Sequence, residues 1–130
     1  MTLLLDTHVL HWSSIDAADP ISPAAQAAIE DADELAVAAI SWFELAWLAH
    51  HGRILLRIPV RTWLQTLAQQ VRTFGITPAT AETAVGLPAS FPGDPADRLI
   101  YATAIEHGMR LVTRDERLRA HAFPVEIALW

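Results

Sequence analysis

Apolar residues along the chain fall into short blocks, and the spacing within each block separates strands from helices. Thr2–Leu5 is a continuous apolar run stopped by Asp6, the pattern of a strand buried on both faces. Leu35–Ala39 is a second such run, Phe74–Ile76 a weaker one, and Arg110–Val112 and Val125–Ala128 close the series. Between them the period changes. Ser22-Pro23 reads as an N-cap with proline at N1, opening a helix over Ala24–Glu30. Ser41 is expected to cap a helix running to about His51 and ended by Gly52. Pro59 opens a helix with Val60, Trp63, Leu64, Leu67 and Val71 at helical spacing, and Thr80–Val85 is a short helix. Asp94-Pro95 starts a helix that runs to His107 and stops at Gly108, and Thr113–Ala120 holds a turn and a short helix. Strands alternating with helices predict an α/β fold: a sheet of about five mainly parallel strands with helices on both faces.

A chain of 130 residues and this pattern predict a single domain over residues 1–130, with about two-thirds of its surface buried on folding. The longest apolar stretch, Leu35 to Ala49, is interrupted by Ser41 and Glu44 and is too short to span a bilayer, so no membrane association is expected. The first residues carry no basic segment and no small-residue cleavage site, so no signal peptide is expected. Cysteine is absent, which removes thiol nucleophiles, disulfides and cysteine zinc sites and suits a cytoplasmic setting. Lysine is absent too, because all nine basic residues are arginine, so there is no Walker A loop and no Schiff-base chemistry. The net charge of −6 is unevenly spread: residues 1–52 carry eight acids and no arginine, while residues 53–130 carry seven acids and all nine arginines. A nucleic-acid binder working by net charge alone would be basic.

Four carboxylates stand out. Asp6 directly follows the first strand, and Asp115 lies three residues after Val112, so both are placed at carboxyl ends of strands, where open α/β sheets bind ligands. Each could equally cap or open a helix. Asp97 occupies the acidic N3 position of a capping arrangement, yet shares a stripe with Ile100, Tyr101 and Ala104 that should face the sheet. Glu44 is the only charge between Glu34 and His50, on a helix apolar on every face. If such groups converged at ~5 Å, each pair would repel by ~3 kcal/mol at an effective dielectric of 20. A hard divalent ion would relieve that repulsion and would also draw a phosphate to an otherwise acidic surface. His8 and His11 are spaced for a shared zinc, but no third ligand is apparent.

Leu3–Leu10 (LLLDTHVL), Ser41–Leu45 (SWFEL), Asp94–Ala104 (DPADRLIYATA) and Leu111–Leu118 (LVTRDERL) together resemble the ordered motifs of PIN-domain ribonucleases, most closely the VapC toxins of bacterial type II toxin–antitoxin pairs. The resemblance covers residues 3 to about 128. It implies a PIN-like doubly wound sheet, an endoribonuclease dependent on Mg²⁺ or Mn²⁺ with RNA as substrate, and a VapB-type antitoxin that blocks the site; a homodimer is expected as well. Asp6, Glu44, Asp97 and Asp115 match the family's acidic quartet, with Asp6, Asp97 and Asp115 as the metal positions. Glu44 would position water, take its proton or help hold a second metal. Thr113 matches a polar position that orients Asp6 or water, and Asp94 is read as the helix cap. Arg98, Arg114 and Arg117 lie beside these motifs and are candidates for phosphate contacts, or for ion pairs with Glu106 or Glu116.

The tryptophans could stack RNA bases or fill the core, and an antitoxin helix is expected in a groove between the helices carrying Glu44 and Trp63. Two other readings are a catalytically silent, carboxylate-rich binding module and a phosphatase of the haloacid dehalogenase type. The second needs another acid two residues after its nucleophile, where this chain has His8, and a lysine, of which it has none.

Overall fold

The first strand, β1 (Thr2–Leu5), runs through the centre of the molecule, its three leucines fully buried. In this computed structural model, which describes residues 1–15, 20–121 and 127–130, it is followed at once by helix α1 (Thr7–Ser13), with Asp6 as N-cap. Helix α2 (Pro23–Asp31) starts at the expected Ser22 cap and leads to β2 (Glu34–Ala38), α3 (Ile40–His50) and α4 (Val60–Ala68). Then come β3 (Arg72–Phe74), α5 (Pro78–Val85), α6 (Pro95–His107), β4 (Arg110–Val112), α7 (Glu116–Arg119) and β5 (Ala128–Leu129). Among the described residues no helix is long and apolar enough to cross a membrane.

All five strands are parallel, in the order β3-β2-β1-β4-β5. Strand order therefore reverses at β1, which pairs with β2 on one side and β4 on the other. The crevice at the carboxyl ends of β1 and β4 is the switch point at which such sheets bind ligands. The two faces of the sheet carry separate cores. Leu3, Leu5, Val37 and Val112 pack with Leu45, Trp63 and Leu67, while Leu4, Ala36 and Leu111 pack with Ile100, Tyr101 and Leu118.

Two expectations need correction. Ser41 does not cap α3: Ala39 holds that position with helical dihedrals and no side-chain bond, and Ser41 lies fully buried inside the helix. The chain passes from β2 into α3 through the single residue Ala39, which leaves no room for a capping turn. The third strand ends at Phe74 rather than starting there, because it is an edge strand whose Arg72 and Thr73 face solvent and give little apolar signal. Of the last expected strand, Val125 and Glu126 lie outside the described residues; the pairing seen is made by Ala128 and Leu129. The helix ending at Gly108 is as expected. That glycine takes the left-handed conformation (φ 62°), and its N–H closes onto the carbonyls of Ala104 and Ile105.

Candidate active site

At the switch point the backbone places Asp6 before any side-chain interaction does. The Asp6 N–H donates to Val112 O at 3.0 Å, extending the β1–β4 ladder by one residue, and its Oδ1 accepts from Thr7 N at 2.8 Å as cap of α1. The other carboxylate oxygen accepts from Thr113 Oγ1 at 2.6 Å. Thr113 is fully buried; its N–H donates to Leu129 O at 3.1 Å, and its hydroxyl oxygen accepts from Asp115 N at 3.1 Å. One threonine thus ties the residue after β1 to the start of α7, holding Asp6 rather than facing a substrate.

Glu44 comes from α3. Its Oε1 accepts from Thr7 Oγ1 at 2.6 Å, and the same hydroxyl lies 2.9 Å from Ser41 Oγ. Both hydroxyl residues are buried, so the polar cluster that aims Glu44 is built into the α1–α3 packing. Asp97 sits in the first turn of α6, below the Asp94 cap, whose Oδ1 accepts from Ala96 N at 2.8 Å. Its stripe partners Ile100, Tyr101 and Ala104 are fully buried against the sheet, as the spacing predicts. Asp115 caps α7 and is gripped by Arg117, whose Nε and Nη2 donate to its two oxygens at 3.1 and 2.7 Å. Nη2 of the same guanidinium also reaches Asp97 Oδ2 at 3.3 Å.

These side chains surround one pocket of about 470 Å³, whose lining includes Asp6, Thr7, His8, Trp12, Glu44, Asp94, Asp97, Arg114, Asp115 and Arg117. The chain thus brings together all four acids singled out in the sequence, each from a different element. Their titration reflects the crowding. Burial pushes Asp6 and Glu44 above the ordinary carboxylate range. Asp97 is pushed up to about 7 by burial first, then by the charges of Asp94 and Asp6, with Arg117 opposing. Asp115 goes the other way, held down by its hydrogen bonds to Arg117.

The donor chemistry suits a hard divalent cation. The acids supply only oxygen, and a carboxyl raised to about 7 marks a place where added positive charge is favourable. Among the described residues, no three His, Asp or Glu side chains are already gathered closely enough to hold an ion. Arg117 stands between two of the carboxylates and supplies the positive charge there. The zinc reading of His8 and His11 finds no support in that same group; both rings pack against tryptophans, Trp12 and Trp63.

Arg98 is not where the sequence suggested. It points away from the pocket and donates to the carbonyls of Ala84, Leu87, Pro88, Phe91 and Pro92, at 2.9 to 3.4 Å. It staples the α5–α6 connection and offers nothing to a phosphate. Arg114 does line the pocket, lying 5.8 Å over the Trp12 ring, and Arg117 pairs with Asp97 and Asp115 rather than Glu106 or Glu116. Nor does Trp63 line a groove between α3 and α4, because it is buried in the core there with Leu45 and Leu67. The apolar groove lies on the other flank of α3, lined by Ile40, Phe43, Trp47 and Leu48 and closed by Asp94, Pro95 and Ala96. Sequence reading missed Thr7 and Ser41 as partners of Glu44. Their signal was present, since each lies within a motif that carries an acid.

The sequence matches the PIN domain family over residues 3–124. It is 67% identical to ribonuclease VapC22 of Mycobacterium tuberculosis over 131 aligned positions, covering 99% of this chain and 98% of that protein. The fold is similar to that in a crystal structure of VapBC2 from Rickettsia felis bound to a DNA fragment from their promoter (TM-score 0.70, 16% identity, 99% and 98% of the two chains). It is also similar to that in a toxin–antitoxin complex from Klebsiella pneumoniae (TM-score 0.64, 23% identity, 87% and 86%). A chain whose motifs, sheet order and near-full-length relative agree in this way belongs to the PIN-domain family, on its VapC branch.

Proposed function

We propose that this chain is an endoribonuclease whose acidic pocket works with a divalent cation, Mg²⁺ or Mn²⁺, and that an antitoxin protein holds it in check. The observation that carries the reading is the convergence of Asp6, Glu44, Asp97 and Asp115 on one pocket at the β1–β4 switch point. The 67% identity to a ribonuclease of the VapC branch supports the same activity.

Asp6, Asp97 and Asp115 are the residues that would hold the cation. When bound, it supplies positive charge to a phosphodiester and acidity to water. The rest is work for the chain. Thr113 and the Thr7 N–H fix both oxygens of Asp6, so that it meets a ligand without reorganising. Glu44 has Oε1 pinned by Thr7, which leaves Oε2 to orient an attacking water and accept its proton. Burial raises the Glu44 pKa, and that makes it a better base than a free carboxylate. Arg114 and Arg117, on the pocket rim, are positioned for the phosphate, Arg117 once its carboxylate partners are otherwise neutralised.

The antitoxin reading rests on the groove beside α3. Phe43 and Trp47 are exposed there, next to Glu44 and Asp94. A partner segment with apolar anchors and a basic residue aimed at the acids would complement both features. The deciding experiment is RNA cleavage with Mg²⁺ or Mn²⁺, wild type against Asp6→Asn. Cleavage that is abolished by the substitution and by chelator is expected; cleavage that persists in excess chelator would overturn the reading.

A further inference from the structure

A third concavity, a cleft of about 560 Å³, lies by the edge strand β5 and is lined by Arg110, Glu116, Arg119 and Trp130 among others. It adjoins the acidic pocket. Trp12 lines the pocket, Trp130 lines the cleft, and their rings meet edge to face with centroids 6.2 Å apart. Arg114 lies over the Trp12 ring. Arg114 and Arg119 are exposed, and neither guanidinium has a hydrogen bond or ion pair among the described residues. Arg110 is anchored instead, donating to the carbonyls of Ile127 and Ala128 across β5.

We propose that this strip is the track for the single-stranded RNA flanking the scissile phosphate, with Trp130, buttressed by Trp12, offering its ring to a base and Arg114 and Arg119 taking phosphates. The proposal rests on the ribonuclease reading and extends it to residues beyond the acidic motifs. A polyanion is repelled by a chain of net charge −6 and by the pocket acids, so it must be drawn in locally. Arg110 and Arg119 line the cleft and Arg114 lies where it meets the pocket, so positive charge runs from this edge to the acids. Exposed cations alternating with aromatic rings is the arrangement by which proteins bind single strands without reading their sequence. Glu116 is the one acid in the cleft lining, against two arginines.

The test uses the full chain with Asp6→Asn, to prevent cleavage, and a labelled single-stranded RNA of roughly 12 nucleotides. Arg119→Gln and Arg114→Gln should each weaken binding and each reduce the salt slope of log Kd by roughly 0.7. Trp130→Ala should weaken binding by about fivefold or more. Trp130→Phe, which keeps a ring against Trp12, should recover most of that loss. Arg72→Gln, on the opposite sheet edge, should leave Kd and slope unchanged. If the parent binds RNA and the Arg119 and Trp130 variants bind it equally well, the track is overturned while the ribonuclease reading stands. If the losses come with a change in oligomeric mass, the cleft is a self-association seam and the track is likewise overturned. A wild-type chain that neither binds nor cuts any RNA would take both readings down together.

Discussion

Thr113 Oγ1 donates to Asp6 Oδ2 at 2.6 Å, and the two residues are 107 positions apart in the chain. The bond spans the switch point of the sheet and sets the orientation of the carboxylate that the fold places most rigidly. Thr113→Val keeps the shape and removes the donor. Loss of a partner that orients a metal-holding residue typically costs 10–100-fold in affinity or activity. We expect a fall of about that size in Mn²⁺ affinity and in RNA cleavage, with stability reduced by only about 1–2 kcal/mol. Calorimetric Mn²⁺ titration beside a thermal melt checks both; unchanged Mn²⁺ affinity would rule out the orienting role.

Arg117 is the internal counter-charge of Asp97 and Asp115. In Arg117→Ala the two carboxylates lose it. The variant should melt lower than wild type in chelator, and should gain more than wild type when Mn²⁺ is added, because no guanidinium competes for the oxygens. Equal gains in the two proteins would show that Arg117 and the cation do not share partners.

The raised Asp97 pKa has a pH signature in the cation-free protein. Unfolded, Asp97 titrates near 3.8; folded, at about 7, so between those values the native state holds the proton more tightly. Stability contributed this way is present below about pH 4 and is lost as pH rises towards 7. Asp6 and Glu44, both raised by partial burial, act with the same sign, whereas the depressed Asp115 acts oppositely and below its ordinary value. The full Asp97 shift corresponds to ~4 kcal/mol, which solvent access and side-chain adjustment cut to about 1–2 kcal/mol. Melting temperature in chelator should therefore decline from pH 4.5 to 7, less steeply in Asp97→Asn. A flat profile in wild type would contradict the crowding described above.

Arg98 is a stability residue. Arg98→Met would leave five carbonyls of the α5–α6 connection without their shared donor. Part of that group is sheltered from water, so the cost should reach about 2–4 kcal/mol in a urea titration. Among molecules that remain folded, RNA affinity should match wild type; a specific loss of RNA binding would return Arg98 to the substrate surface.

Much of the architecture was legible because its signals are local. Buried parallel strands read as apolar runs, and Ser22-Pro23, Asp94-Pro95 and Gly108 punctuate helices by their own backbone chemistry. The four acids of the site could be picked out for the same reason: Asp6 and Asp115 follow strands, Glu44 interrupts an apolar helix, and Asp97 shares a stripe with Ile100, Tyr101 and Ala104. What the sequence hid depends on contacts between distant segments. Ser41 looked like a cap because serine before an apolar run usually is one; only the packing of α1 on α3 shows its hydroxyl turned to Thr7. Arg98 looked like a phosphate ligand because it adjoins Asp97, but adjacent helical residues point about 100° apart, and its side chain faces α5. The exposed flank of α3 was likewise hidden, since a helix apolar all round gives no sign of which side the core will leave bare.

The central strand is flanked by β2, which follows it closely, and by β4, which arrives only after residue 109. A chain emerging from the ribosome can therefore assemble one half of its sheet early, with Asp6 in place but with neither Thr113 nor Asp115 yet made. The acidic pocket is thus completed only after β4 and the turn into α7 have been made, and a shorter stretch of this chain holds Asp6 and Glu44 without the partners that frame them.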